Sequence, residues 1–277
     1  MADKIGFIGV GNMGGALIRA ICRGTDPKNV LAYDLLPEKV QALADEIGCT
    51  PFGDAKSLIL EADFIVFAVK PQVIGGVLRE AASEIKSLTD VGGKKIAVSI
   101  AAGVNISTIT DAFSECGLKL PVIRVMPNMA AFVGKGVMLI AKGVEVDLAD
   151  AARLAELLAP AGIIEMVTEA QLDLGCAISG CGPAYAYLFV EALADAGVQI
   201  GLPRDMAIRL AAQTLAGAAE MVLQTGEHPG VLKDSVTSPG GTTIAGIHAL
   251  EVGAFRGVVA NAVIAANDRN TELSKNG

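Results

Sequence analysis

Two short stretches of this chain combine residue types able to grip an anion. The first is Gly9-Val10-Gly11-Asn12-Met13-Gly14, within GFIGVGNMGGALI; the second is Ser238-Pro239-Gly240-Gly241-Thr242-Thr243, within SPGGTTIAGIHALE. Both set glycines directly before a helix-like run. A glycine-rich turn that opens a helix leaves backbone N–H groups free, and these act with the helix dipole to hold negative charge. The first stretch follows the strand-like IGFIG and has the spacing G-x-G-x-x-G. In that pattern Gly9 permits the tight turn, Gly11 lets backbone approach a pyrophosphate, and Gly14 lets helix and strand touch. Asp34 lies 20 residues beyond Gly14 at the end of the next apolar run, where a carboxylate bonds a ribose 2′-hydroxyl. Residues 8–14 (Ile8 through Gly14) with Asp34 are therefore expected to bind a dinucleotide. A carboxylate repels a 2′-phosphate, and the first cation after Asp34 is Lys39, so local electrostatics favour NADH over NADPH.

Further candidates stand where later strands should end, since open α/β sheets hold ligands at their carboxyl edge. FAVKPQ offers Ala68, Val69, Lys70 and Pro71; SIAAGV offers Ala101; VMPNM offers Met126, Pro127 and Asn128. The last two groups are expected to line a nicotinamide pocket. The second half is poor in acid–base groups: Lys233 is its only lysine from Thr168 to Ser274, and His228 and His248 flank the second turn. Two distant histidines and no CxxC pair leave little to build a metal site from, and none is expected. Tyr185 and Tyr187, two apart, do not share a helix face, so at most one can point into a site.

The elements that must position these residues change character along the chain. Short apolar runs near 4–9, 30–33, 64–68, 96–99, 121–126, 137–141 and 162–167 alternate with helical stretches at 13–22, 37–47, 74–86, 107–114 and 147–159. This is the pattern of strand–helix units in a mostly parallel, doubly wound Rossmann-type sheet. Beyond Thr168 long Ala/Leu/Val helices take over, at 184–196, 204–224, 243–250 and 255–273. The expected division is residues 1–165, a dinucleotide-binding domain, and 166–277, an all-helical substrate-binding and dimerisation domain.

Composition narrows the class. The 277 residues are 52% hydrophobic but only 4% aromatic, so alanine and glycine supply much of the apolar content, and closely packed, self-associating helices are expected. A net charge of −8 with no long basic run excludes nucleic acid as the partner. The long uncharged runs are broken by glycine and proline, as at Gly180, Gly182 and Pro183, so no membrane span is expected. Five cysteines without pairing spacing, and Asp3-Lys4 leading directly into the first strand, point to a reduced protein in the cytoplasm.

GFIGVGNM, AVKPQ, MPN, SGCGPAY, HPGVLKDSVTSPGGTT and the terminal AFRGVV together resemble the pyrroline-5-carboxylate reductase family, over essentially the whole chain from Ile5 to Leu273. The resemblance implies reduction of the cyclic imine 1-pyrroline-5-carboxylate to L-proline by NAD(P)H, the last step of proline biosynthesis. It also implies a second anion, the substrate carboxylate, held by backbone N–H groups and a serine hydroxyl among Ser238, Gly240, Gly241, Thr242 and Thr243, with Val236 at the entry. Thr243 would bond the ring nitrogen. Dimers with interlocked helical domains, in some cases larger rings, are implied as well. This chain departs from the family pattern at Cys181, where a serine is usual, and at Tyr33-Asp34, where many members place small polar residues and use NADPH. Two other readings compete. A beta-hydroxyacid dehydrogenase-like oxidoreductase needs a lysine that SGCGPAYAY lacks. A non-catalytic dinucleotide-binding protein would have no use for Ser238–Thr243.

Overall fold

The computed structural model describes residues 3–87 and 95–276. Eight strands form one sheet: β1 (Ile5–Ile8), β2 (Val30–Tyr33), β3 (Thr50–Pro51), β4 (Phe64–Phe67), β5 (Ile96–Ser99), β6 (Val122–Met126), β7 (Gly136–Lys142) and β8 (Gly162–Met166). Their order is β3-β2-β1-β4-β5-β6-β7-β8. From β1 to β6 every pairing is parallel, while β7 runs antiparallel to β6. The connection over residues 127–135 is too short for a crossover helix, and a parallel return needs about a dozen residues or more. Strand order reverses between β1 and β4, which opens a crevice at their carboxyl ends.

Seven helices belong with this sheet: α1 (Asn12–Ile21), α2 (Pro37–Ile47), α3 (Ala55–Glu61), α4 (Pro71–Ser87), α5 (Ile106–Glu115), α6 (Leu148–Leu158) and α7 (Glu169–Ser179). Helices α1, α2 and α6 bury Leu17, Leu43 and Leu154 with Phe7 and Val66 on one face. Helices α3, α4 and α5 bury Leu58, Leu78 and Phe113 with Ile8 and Phe67 on the other. Adjacent strand residues therefore serve opposite cores, as a pleat with period two requires. Gly6 shows how close the layers come: a Cβ there would stand 2.5 Å from Leu58 Cδ2.

The remaining helices are α8 (Gly182–Gln199), α9 (Arg204–Thr225), α10 (Pro229–Ser235), α11 (Thr242–Val252) and α12 (Phe255–Asn276). The long pair α8 and α9 meets over Ala194, Ala207 and Ala211, and a Cβ on Gly197 would lie 3.0 Å from Ala207 Cβ. Small residues let these two helices approach closely, as the alanine-rich composition suggests.

By packing, the chain divides into Met1–Gly180 together with the end from Asn267, and Cys181–Ala266. The expected boundary at 165/166 lies one helix earlier. Helical character does begin there, but α7 still packs with the sheet, burying Leu172 with Met126, Leu139 and Ala141. The glycines and proline expected to interrupt the long uncharged runs do not do so. Glu169–Gln199 and Arg204–Thr225 are long and apolar enough to cross a membrane by length and composition. Gly180, Gly182 and Pro183 do not break the first of these stretches, because the residues join the end of α7 to the first turn of α8, where proline is tolerated.

Candidate active site

The first turn is built where β1 delivers the chain to α1. Gly9 adopts φ +107°, and a Cβ there would strike Ala68 O at 2.6 Å, so only glycine fits. A Cβ on Gly14 would lie 2.4 Å from Gly9 O, which keeps α1 tight on its own turn. Gly11 is the opposite case: a Cβ would meet nothing within 4 Å. The space beside it is open. Gly11 is also the N-cap of α1, and no side chain caps that helix. Its first-turn N–H groups are free to receive an anion, so these residues fit a pyrophosphate.

Asp34 follows β2, and both its oxygens are already engaged. Val10 N–H donates to Oδ2 at 2.7 Å and Leu36 N–H donates to Oδ1 at 3.1 Å. The carboxylate thus fastens the glycine turn to the β2–α2 connection. Each oxygen keeps a second lone pair, which leaves room for a ribose hydroxyl.

Beside Asp34 opens a cleft of about 1100 Å³ lined by Tyr33, Asp34, Asp54, Lys56, Val73, Val77 and Arg79, among others. Asp54, Lys56 and Arg79 were not foreseen from the sequence, which shows Lys39 as the first cation after Asp34. The cap signal at Asp54 was present, since an aspartate stands just ahead of the apolar run at Leu58–Leu60. Asp54 accepts from Ser57 N–H at 2.8 Å and Ser57 Oγ–H at 2.9 Å. The bond from Ser57 N–H, reinforced by the hydroxyl, holds its carboxyl below the usual carboxylate range. Lys56 is paired with Glu84 at 2.9 Å.

The other strand-end candidates take different positions. Ala68 N–H donates to Ile8 O at 2.9 Å, so residues 68–71 continue directly from the first turn's edge, with Lys70 exposed. Ala101 and Met126 are buried. Asn128 is committed to the fold: its Nδ2 donates to Ser179 O at 2.8 Å and its Oδ1 accepts from Val137 N–H at 3.2 Å. From this segment, backbone and Pro127 remain for a ligand.

One cluster in the sheet unit was not visible in the sequence. Arg124, fully buried in β6, donates to Glu169 Oε1 at 3.1 Å and Asp173 Oδ1 at 2.7 Å on α7. Glu169 Oε1 also accepts from Ile106 N–H at 2.7 Å, at the first residue of α5. The segment after β5 and the start of α7 are thereby clamped to one strand. A lone arginine in VIRVM gives no sign of carboxylates 45 and 49 residues away.

The second turn stands in the helical unit between α10 and α11. Gly240 adopts φ +67° and Gly241 N–H returns to Ser238 O at 3.1 Å, which closes the turn. A Cβ on Gly241 would come within 2.5 Å of Ser238 Oγ. Gly241 is the N-cap of α11, again with no side-chain cap. Val236, Ser238, Gly240, Thr242 and Thr243 are all exposed, and Gly241 is half-buried. His228 serves elsewhere, with its Nδ1 accepting from Gly230 N–H at 3.0 Å to cap α10. Tyr185 and Tyr187 diverge as their spacing requires: Tyr185 donates to Ala262 O at 3.4 Å, while Tyr187 is exposed. Burial, with Cys181 nearby, pushes the Tyr185 phenol up from its ordinary value.

Comparison with known proteins places both turns in matched regions. Residues 169–273 match a family model described as pyrroline-5-carboxylate reductase dimerisation, and residues 4–103 match one described as NADP oxidoreductase, coenzyme F420-dependent. The chain is 41% identical to the pyrroline-5-carboxylate reductase of Arabidopsis thaliana, covering 98% of this chain and 96% of that one. With the enzyme of Methanosarcina acetivorans it shares 42% identity over 99% of this chain and 98% of the relative. Among solved structures, the pyrroline carboxylate reductase of Plasmodium falciparum with NADP bound superposes at a TM-score of 0.83. The identity is 33%, and 98% of each chain is covered.

Proposed function

Given that this chain belongs to the pyrroline-5-carboxylate reductase family, we propose a division of labour between its two glycine-opened helix starts, at Gly11 and Gly241. The enzyme reduces 1-pyrroline-5-carboxylate to L-proline with NAD(P)H and works as a homo-oligomer. When bound, the reduced nicotinamide supplies the hydride that converts the C=N carbon to C–H. Gly9–Gly14 hold the cofactor pyrophosphate, with Asp34 on the adenosine ribose; residues 68–71, Ala101 and 126–128 line the remainder. Ser238 and the backbone from Gly240 to Thr243 hold the substrate carboxylate, with Val236 at the entry. The single observation that carries this reading is the turn at Gly241: a second glycine-built turn that opens a helix without a side-chain cap, with Ser238 beside it.

The scarcity of acid–base groups suits the chemistry. A cyclic imine becomes electrophilic at carbon once its nitrogen is protonated, and water supplies that proton near neutral pH. The protein then has to fix the ring and exclude other orientations. The Thr243 hydroxyl steadies the nitrogen as it becomes an amine. We place the enzyme in the cytoplasm, where its five cysteines stay reduced.

Asp34 supports NADH as the preferred cofactor, because two anions in a partly buried site repel by about 1–4 kcal/mol depending on the effective dielectric. Following consumption of each reduced cofactor with pyrroline-5-carboxylate tests both activity and preference. We expect the higher kcat/KM with NADH. Asp34→Ser narrows or reverses it and also weakens both cofactors, since Val10 N–H and Leu36 N–H lose their acceptor. A tenfold preference of the unaltered enzyme for NADPH would falsify this assignment of Asp34.

A further inference from the structure

Resting on the assignment of Asp34 to the adenosine ribose, we propose that Asp54, in the lining of the same cleft, is a second determinant of cofactor choice, set against a 2′-phosphate. Both carboxylates line the cleft of about 1100 Å³. Asp34 stands at the end of β2, and Asp54 is the N-cap of α3.

Neither carboxylate is free to move away. Asp34 is held by Val10 N–H and Leu36 N–H, and Asp54 by both donors of Ser57. A mobile anion relaxes away from an incoming phosphate; one fixed through both oxygens keeps its charge in place. The cap bonds also keep Asp54 ionised. The cleft's cations do not offset this. Lys56 is paired with Glu84, and the Arg79 guanidinium folds back to 3.7 Å from where a Gly75 Cβ would stand. The lining thus brings Asp34, Asp54, Glu80 and Glu84 against Lys56 and Arg79. A 2′-phosphate meets a lining of net negative charge, and removing Asp34 alone leaves Asp54 in place.

The charge can be removed without the cap. Asparagine and serine are N-caps comparable to aspartate, so Asp54→Asn and Asp54→Ser keep an acceptor for Ser57 N–H and remove the negative charge, giving up only the second bond from the Ser57 hydroxyl. Calorimetric titration of the full-length variants with NADH and NADPH reads the effect without turnover. A second pair of probes, 5′-AMP and adenosine 2′,5′-bisphosphate, isolates the adenosine end. Either substitution is expected to shift the ratio of dissociation constants toward NADPH by about 3- to 10-fold. With Asp34→Ser added, the shifts multiply. Raising salt compresses the ratio in the parent more than in the variants, because screening acts on the repulsion that they lack. If both Asp54 variants leave the ratio unmoved while Asp34→Ser shifts it, Asp54 is a helix cap alone and the inference falls with the Asp34 assignment intact. An equal loss of affinity for both cofactors overturns it in the same way. If Asp34→Ser also leaves the ratio unmoved, it is the underlying assignment that fails.

Discussion

At the scale of single residues, Thr243 and Gly241 separate the two duties of the second turn. Thr243 is exposed on the first turn of α11, so Thr243→Val keeps β-branching and shape while removing only the hydroxyl. One neutral hydrogen bond contributes about 0.5–1.5 kcal/mol, more if it strengthens in the transition state. We expect kcat to fall about 3- to 100-fold, with cofactor affinity and melting temperature nearly unchanged. Gly241→Val acts differently, because its Cβ lands 2.5 Å from where Ser238 Oγ now sits. The serine must turn away, and KM for the imine rises far more than kcat falls. Steady-state kinetics beside thermal melts decide the matter: a turn that is only a helix cap loses stability in both variants and shows no split between kcat and KM. Cys181, at the N-cap of α8, makes no side-chain cap bond, whereas the serine usual there offers an oxygen able to make one.

At the scale of elements, the clamp on Arg124 joins α7 to the sheet and to the start of α5. Its carboxylate partners are about one-third exposed, so removing the guanidinium leaves them partly hydrated and not stranded in the core. Arg124→Met should therefore cost about 1–3 kcal/mol, below the usual penalty for breaking a fully buried pair, read as a lower urea midpoint. Glu169→Gln, which retains an oxygen for Ile106 N–H, should cost less than Arg124→Met; the reverse order would show that the pair does not hold α7. How much of this was legible follows from range. The strands at 30–33 and 96–99 and the helix at 37–47 coincide with expectation, because apolar period and Pro37 at the first turn are local signals. β3, α3, α7 and α10 were missed. Two-residue β3 has no period to detect, and α3 and α10 are seven residues each. The seven-residue helices are held by their caps and neighbours. The start of α7 did carry a sign, the capping box of Thr168 and Gln171, hidden behind a change of character that suggested a domain boundary. Both anion-binding turns could be read because their glycines are contiguous. The cleft wall at Asp54 and Arg79 could not, since only the parallel crossover brings α3 and α4 beside Asp34.

For the whole molecule, the helical unit is the informative half. Within residues 181–266 the buried residues are Ala194, Ala207 and Ala211, and α11 buries nothing at all. Three alanines are no core. Leu188, Leu223, Val258 and Ile264 are more than half exposed, which is more apolar surface than a monomer leaves wet. The membrane-grade hydropathy of α9 has the same origin, since a dimerisation domain matches this stretch. Accordingly no stable monomer is expected. Sedimentation at micromolar protein should find dimers or larger rings, and Leu223→Arg should lower assembly and thermal stability together. An active monomer would contradict the assignment of these faces.

The end of the chain from Asn267 belongs to the sheet unit, where Asn270 Nδ2 donates to Asp173 O at 3.3 Å. The helical unit is thus an insertion between two segments of the sheet unit. On the ribosome, the sheet unit waits for a segment made after the insertion: β1 to β8 and α7 emerge early, yet the segment that donates to Asp173 leaves the exit tunnel after α8 to α11. Through this arrangement a chain cut short anywhere in its second half lacks a piece of its first.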